Sequence, residues 1–235
     1  MSNSLSIVLP IFNEVKSLEH VLSSWSKYLN SKNILHEFVI CEDGSTDGTK
    51  ELINKLKNIY VISDQSVKKR RGYGRGVMAG IIASKYDFIL CIDSDGQCMP
   101  DSFLDFYNNK HMADILIGYR SPRNDPIIRI IYSKLFKITH DYLFDTKIKD
   151  PSCPYVLGKK ENYIKLFNKL EYLIEGFWWG FIGAAKLMGL KLMEIKIIHY
   201  ERYDGSSAVY KINKMPMIII RNILGLIKLK KSFND

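Results

Sequence analysis

The sequence predicts an α/β fold: one domain on a doubly wound, mostly parallel sheet flanked by helices, ending in a C-terminal amphipathic helix. Three observations carry this expectation. Short β-rich runs alternate with segments of helical apolar spacing through the first half. Those runs are apolar nearly throughout, as strands covered on both faces must be. No linker or internal repeat divides the chain.

Residues 5–10 are the first β-rich run. Val15, Leu18, Val21, Leu22, Trp25 and Leu29 then recur at helical spacing, which predicts a helix over 15–29. HEFVIC (36–41) reads as a second strand, 48–59 as a second helix and 60–63 as a third strand. A basic, glycine-rich loop, KKRRGYGRG, leads into a helix through Ser84. DFILCI (87–92) and DILIGY (114–119) are the fourth and fifth strands. After Arg120 the rhythm changes. Polar SPRNDP precedes a helix over 127–143, KDPSCPY is a proline-interrupted loop, and 162–173 is helical. GFWWGFIGAAKLMGL reads as a buried helix, 194–200 as a late strand and 211–231 as a terminal helix.

Composition excludes several classes. Of the 235 residues, 46% are hydrophobic and 25% charged, with 15 Gly and 7 Pro, which rules out disorder and fibrous repeats. The excess of 34 Lys plus Arg over 25 Asp plus Glu gives a formal net charge of +9, the sign expected for an anionic partner. Cys41, Cys91, Cys98 and Cys153 form no CxxC pair and are expected to be buried, reduced thiols. The first residues lack a signal-peptide pattern, and no run reaches the ~18 apolar residues of a membrane span, so a cytoplasmic protein is expected.

Ligands of open α/β sheets bind beyond the carboxyl ends of the strands, so the polar residues that follow each predicted strand matter most. These are Pro10, Asn13 and Glu14; Glu42, Asp43, Ser45 and Asp47; Asp93, Ser94, Asp95 and Gln97; and Arg120. Carboxylates crowding one rim with arginines nearby suit a divalent cation and a phosphorylated ligand, because hard oxygen donors favour Mg²⁺ or Mn²⁺. Asp93 and Asp95, two apart at a strand end, can face one ion if the chain stays extended. Turn-capping by Asp and Gly is the competing structural role for both acidic segments. In EDGSTDGT the two roles divide, with Asp43 functional and Ser45 to Thr49 structural.

SIVLPIFNE, VICEDGSTDGT, the Gly/Arg loop before GVMAGIIAS, FILCIDSDGQCMPD and IGYR, in that order, resemble the inverting family 2 glycosyltransferases of GT-A fold. DPSCPYVL and ERYDGSS lean toward the dolichyl- and polyprenyl-phosphate sugar transferases within that family. The resemblance divides the chain into a nucleotide-sugar half (about 1–120), an acceptor half (121–210) and a terminal helix (211–235). It implies that Pro10, Asn13, Glu14 and Asp43, with Ser94, hold the nucleoside of a nucleoside-diphosphate sugar. It implies that Asp93, Asp95 and Gln97 bind the metal, that Arg75 and Arg202 reach the phosphates, and that Asp95, Arg120 and Arg202 are the catalytic groups. Arg120, Arg129 and Ser133 would cradle an acceptor phosphate, Arg129 and Ser133 sharing a helix face four apart. An acceptor that is already anionic needs no general base.

The sequence departs from the resembled pattern in two places. Glu42 replaces the first Asp of the acidic turn, and Gly180 stands where the family often carries a Glu, with Glu175 a few residues earlier. The alternative acceptor is a saccharide or lipid-linked saccharide, as in polysaccharide assembly. It would need a carboxylate base, for which Glu175 and Asp150 are the candidates. The basic, apolar terminal helix either contacts the inner face of an anionic membrane peripherally or packs on the domain. Nucleic acid is not an expected partner, because the acidic rim would repel its backbone.

Overall fold

The computed structural model describes residues 3–123, 127–170, 173, 176–203 and 215–233. The elements run β1 (Ser4–Ile11), α1 (Leu18–Ser31), β2 (Leu35–Glu42), α2 (Thr49–Leu56), β3 (Ile62–Asp64), α3 (Tyr73–Ala83), β4 (Phe88–Cys91) and α4 (Phe103–Asn109). They continue with β5 (Ile115–Arg120), α5 (Ile127–Phe144), β6 (Val156–Lys159), α6 (Lys160–Ile164), α7 (Phe167–Leu170), α8 (Phe177–Leu187), β7 (Leu192–Ile197) and α9 (Met215–Lys231).

Among the described residues, one 7-stranded sheet has the order β3-β2-β1-β4-β6-β5-β7. β1 pairs in parallel with β2 and β4, β2 with β3, and β5 with β7. β6 alone runs antiparallel, between β4 and β5. The doubly wound, mostly parallel α/β arrangement expected from the sequence is thus the observed one, and helices cover both faces.

Strand alternation divides the core. Leu5, Ile7 and Leu9 of β1 point to the face covered by α1, α2 and α4, where Trp25, Leu29, Ile53 and Phe106 are buried. Val8 points to the other face, with Val77 and Ile81 of α3 and the buried residues of α8. The helical spacing read from Leu18 to Leu29 is the buried stripe of α1. It begins at Leu18 rather than Val15, because Ser17 and Leu18 both donate backbone N–H groups to the Glu14 carbonyl in a turn.

Several boundaries differ from expectation. β6 and α4 carry no sequence signal of their own, since a run of four to seven residues is too short for periodicity to register. The helix expected over 162–173 is two short ones, α6 and α7. β3 lies two residues later than read, and α9 is described from Met215 on. All four cysteines are buried and free.

All strands except β6 point their carboxyl ends to one rim. Because β6 runs the other way, the segment that enters it, Asp150 to Tyr155, is delivered to that same rim. Trp25 braces the rim from below: its indole N–H donates to the Cys98 carbonyl at 3.2 Å, and its ring packs edge-on against Phe103. Trp25→Phe should keep the packing but leave that buried carbonyl unpaired. The expected loss is about 1–3 kcal/mol in urea denaturation, and an unchanged midpoint would show that the bond contributes nothing.

Candidate active site

The acidic pair follows β4. Tyr73 donates its hydroxyl to Asp93 Oδ1 at 2.8 Å, and Trp178 donates its indole N–H to the Tyr73 oxygen at 2.8 Å. Burial first, and then the neighbouring Asp95 charge, raise the Asp93 carboxyl well above the usual carboxylate range. Burial also raises the Tyr73 hydroxyl, which keeps it a donor. Asp95 accepts from Arg202 Nη1 at 3.2 Å and from the Gln97 backbone N–H at 3.1 Å. Gly96 between them has φ +83, and a side chain there would crowd Tyr203 Cβ at 3.2 Å, so the bend of the motif asks for glycine.

Arg202 joins the acidic pair to β1. Its guanidinium also binds Glu14, whose other oxygen accepts the Ser17 hydroxyl at 2.7 Å. Burial raises Glu14 above its ordinary value, against the pull of Ser17 and Arg202. Ser94 donates to the Pro10 carbonyl at 3.0 Å, and its own carbonyl accepts from Ser17 at 2.9 Å. Pro10, Glu14, Asp93, Ser94, Asp95 and Arg202 are therefore brought together. Gln97 joins at the edge, its amide N–H₂ donating to the Tyr200 carbonyl at 3.2 Å.

The residues expected to hold the nucleoside lie beyond β1 and β2. Asn13 takes a positive φ of 57, a conformation Asn tolerates better than most residues. It donates its backbone N–H to Ser45 Oγ and accepts from the Thr46 N–H, both at 2.9 Å. Asp43 is buried and held by the basic loop. Its Oδ1 accepts the Arg71 N–H at 2.7 Å and its Oδ2 the Gly72 N–H at 3.0 Å. Arg70 lies 3.5 Å from the same carboxylate and over the Phe12 ring at 3.9 Å. Arg75 stands exposed in the first turn of α3.

A basic cluster sits beside the acidic pair. Arg120 forms a bidentate pair with Asp150 at 2.7 and 2.9 Å, and Arg120 also reaches Ser152 Oγ at 2.7 Å. This guanidinium holds Asp150 down at about 2, although burial pulls the other way. Arg123 Nη1 donates to Ser133 Oγ at 2.9 Å and lies 4.0 Å from Asp150. Ser133 thus has an arginine partner other than the expected one, for the Arg129 side chain lies outside the described residues, as do Glu175 and residues 204–207 of ERYDGSS. Asp150, a candidate base for a saccharide acceptor, has both oxygens paired with Arg120, and its lowered carboxyl is a weak proton acceptor. A Cβ at Gly180 would meet Leu173 Cδ1 at 2.1 Å, so a larger residue there would require the Leu173 side chain to move.

Sequence reasoning missed Tyr73, Ser17 and Arg123 as site residues and Trp178 as more than core. Tyr73 and Arg123 stand in segments read as basic or polar loops, and nothing in the spacing ties them to Asp93 or Ser133. The acidic pair fits a divalent cation: two carboxylates on one bend, one of them pushed toward its neutral form by burial and by the charge of the other, with a buried, unpartnered Arg202 Nε beside them for a phosphate. No cluster of three or more His, Cys, Asp or Glu side chains suited to a metal occurs among the described residues, so phosphate oxygens or water would complete the shell.

The sequence profile of Glycosyl transferase family 2 matches residues 6–179. The chain is similar to the dolichyl-phosphate beta-glucosyltransferase of Dictyostelium discoideum, 26% identical over 96% of this chain and 77% of the relative. It is similar to the dodecaprenyl-phosphate galacturonate synthase of Rhizobium johnstonii, 24% identical over 93% and 65% respectively. Poly-beta-1,6-N-acetyl-D-glucosamine synthase of Staphylococcus aureus is 33% identical over 74% of this chain but only 42% of the synthase. Among solved structures, glucosyl-3-phosphoglycerate synthase from Mycobacterium tuberculosis, in complex with Mn²⁺, uridine diphosphate and phosphoglyceric acid, superposes with a TM-score of 0.71. That likeness is 16% identical, covers 97% of this chain and 78% of the other, and shows a shared fold.

The Arg120–Asp150 pair sets a pH dependence. Asp150 ionises more readily folded than unfolded, so its stabilisation is complete above the ordinary Asp value of about 3.9 and lost as pH falls through about 2. Asp150→Asn should cost about 2–3 kcal/mol at pH 7, with the gap to the unsubstituted protein closing between about pH 4 and 2. Denaturation curves across that range check this, and a gap that stays constant would contradict it.

Proposed function

Because the chain belongs to glycosyl transferase family 2, we propose that this nucleotide-sugar glycosyltransferase moves its sugar, with inversion, to a polyprenyl-phosphate acceptor in a metal-dependent reaction. One observation carries the reading. An acidic bend suited to a cation and a donor diphosphate faces a basic cluster whose only described carboxylate, Asp150, is locked by Arg120. A basic cluster whose described carboxylate is already paired suits a nucleophile that arrives already charged. The relatives named for dolichyl and dodecaprenyl phosphate support the same acceptor class.

In this reading Pro10, Asn13, Glu14 and Asp43 hold the nucleoside. A carboxylate has room for about four donors, so Asp43 can take a base N–H while keeping the loop amides. Asp93 and Asp95, with Gln97, hold Mg²⁺ or Mn²⁺. What such an ion supplies when bound is Lewis acidity toward the departing diphosphate. Arg202 orients the diphosphate by exchanging part of its hold on Glu14 and Asp95 for phosphate oxygens, and Arg75 meets them from α3. Ser94 keeps the bend in register with β1 through the Pro10 carbonyl. Arg120, Arg123 and Ser133, with Arg129 from the first turn of α5, receive the acceptor phosphate and keep its oxygen unprotonated for attack on the sugar carbon. Residues 1–120 form the donor half, 121–210 the acceptor half and 211–235 the terminal helix.

Among the described residues, no helix is long and apolar enough to cross a membrane. The enzyme is proposed to work from the cytoplasmic side, in peripheral contact with the inner face of the membrane that would carry a lipid-phosphate acceptor of the class named for the relatives. The second reading, a saccharide acceptor, draws on the Staphylococcus aureus relative. It would have to find its base outside the described residues, where Glu175 lies.

Two measurements test the proposal. Labelled nucleotide-sugar donors should yield a chloroform-soluble product with polyprenyl phosphate and none with oligosaccharides, whereas the reverse result would establish the saccharide reading. In thermal melts, a nucleoside diphosphate should raise the midpoint only when Mn²⁺ or Mg²⁺ is present, and Asp95→Ala should abolish that increment while the ligand-free midpoint moves little. A metal-independent shift would remove the acidic bend from the donor site.

A further inference from the structure

The outer faces of α5 and α9 are apolar and uncovered. On α5, Ile127, Ile131, Leu135, Ile138 and Tyr142 recur every three to four residues and are all exposed, Tyr142 at 86% and Ile127 at 72%. The opposite side of the helix is the one that packs inward, through Phe136, His140 and Phe144. On α9, Met217, Ile220 and Leu224 are each about 60% exposed, while Leu226 and Leu229 are buried. The two helices pack on each other and on α8, whose residues from Phe177 to Ala185 are all buried. They are thus an outer layer over α8, each with an exposed apolar stripe.

Scattered apolar side chains are ordinary on a protein surface, but a continuous patch of them marks a partner. The charge around this patch selects which partner. α9 carries Arg221, Lys228, Lys230 and Lys231 and no acidic residue. α5 adds Lys134 within the stripe and Lys137, which pairs with Asp141. A second copy of this chain would set these cations against their own kind in a protein of net charge +9. A bilayer with anionic headgroups takes apolar side chains into its boundary layer and cations at its phosphates, which is how interfacial helices bind.

We propose that α5 and α9 together form the face by which this enzyme lies on an anionic lipid bilayer. Ser133 lies on the opposite, half-buried side of α5 from Ile131 and Leu135, which sets the acceptor-phosphate cluster about one helix diameter (~10 Å) behind this face. The inference rests on the acceptor reading only in placing the acceptor lipid in that bilayer.

Flotation of the full chain with phosphatidylcholine vesicles, with and without about 30% phosphatidylglycerol, tests it. Binding is expected to require the anionic lipid and to weaken as salt rises. Leu135→Glu combined with Ile138→Glu should reduce binding at least tenfold, with an unchanged melting midpoint and unchanged transfer to a short-chain, water-soluble prenyl phosphate. Lys230→Gln with Lys231→Gln should reduce it about tenfold without touching the apolar stripe. The proposal is overturned if the double Glu variant floats like the unsubstituted protein. It is equally overturned if the unsubstituted protein is a stable dimer that this variant makes monomeric. Vesicle binding that survives alongside a complete lack of transfer to prenyl phosphate would uphold the face and sink the acceptor reading instead.

Discussion

Parallel pairing of β1, β2 and β4 brings Glu14, Asp43, Asp93 and Asp95 to one end of the sheet, where like charges repel in a partly buried setting. The fold contains this repulsion with a few specific contacts. Arg202 spans Glu14 and Asp95, the loop amides of Arg71 and Gly72 satisfy Asp43, and the Tyr73 hydroxyl serves Asp93. None of these fully neutralises Asp93, whose carboxyl stays displaced toward its protonated form. The unrelieved part of that cost is the driving force available to a cation. The site is electrostatically incomplete by construction.

The neighbouring cluster is built the opposite way. Arg120 and Asp150 satisfy each other in a bidentate geometry, Ser152 adds a hydroxyl, and Arg123 stands at the margin with Ser133. An ion pair that closes on itself fixes positions instead of inviting a ligand, so Arg120 is held rigidly at the rim. One carboxylate group seeks positive charge and the other has already found it. That asymmetry distinguishes two neighbouring groups of charges along a single rim.

The sheet, the main helices and the acidic turns could be read from the sequence because each has a local signature. Apolar runs ending in polar, acidic segments announced β1, β2 and β4, and the helical spacing from Leu18 to Leu29 announced α1. What escaped reading depends on partners far along the chain. β6 is four residues long, and only its place between β4 and β5 makes it a strand. Tyr73 looked like part of a solvated basic loop until the turn after β4 came to lie beneath its hydroxyl. Asp150 looked like a possible base because its arginine is thirty positions away. The stripe on α5 misleads in another way, since apolar residues at helical spacing read as core, and here the buried side is the one carrying Phe136, His140 and Phe144.

The antiparallel strand has a consequence for how the molecule comes into being. β4 and β5 are consecutive strands, yet β6 separates them, so the middle of the sheet cannot close until residue 159 has been synthesised. Until then β4 presents an open edge, the kind of surface that recruits stray strands from other chains. The segments before and after Arg120 are therefore not two separable modules. A fragment ending near Arg120 would contain every donor-side carboxylate and lack the strand that seals them into a sheet, and it should emerge from the ribosome as an aggregating intermediate, not as a nucleotide-binding domain.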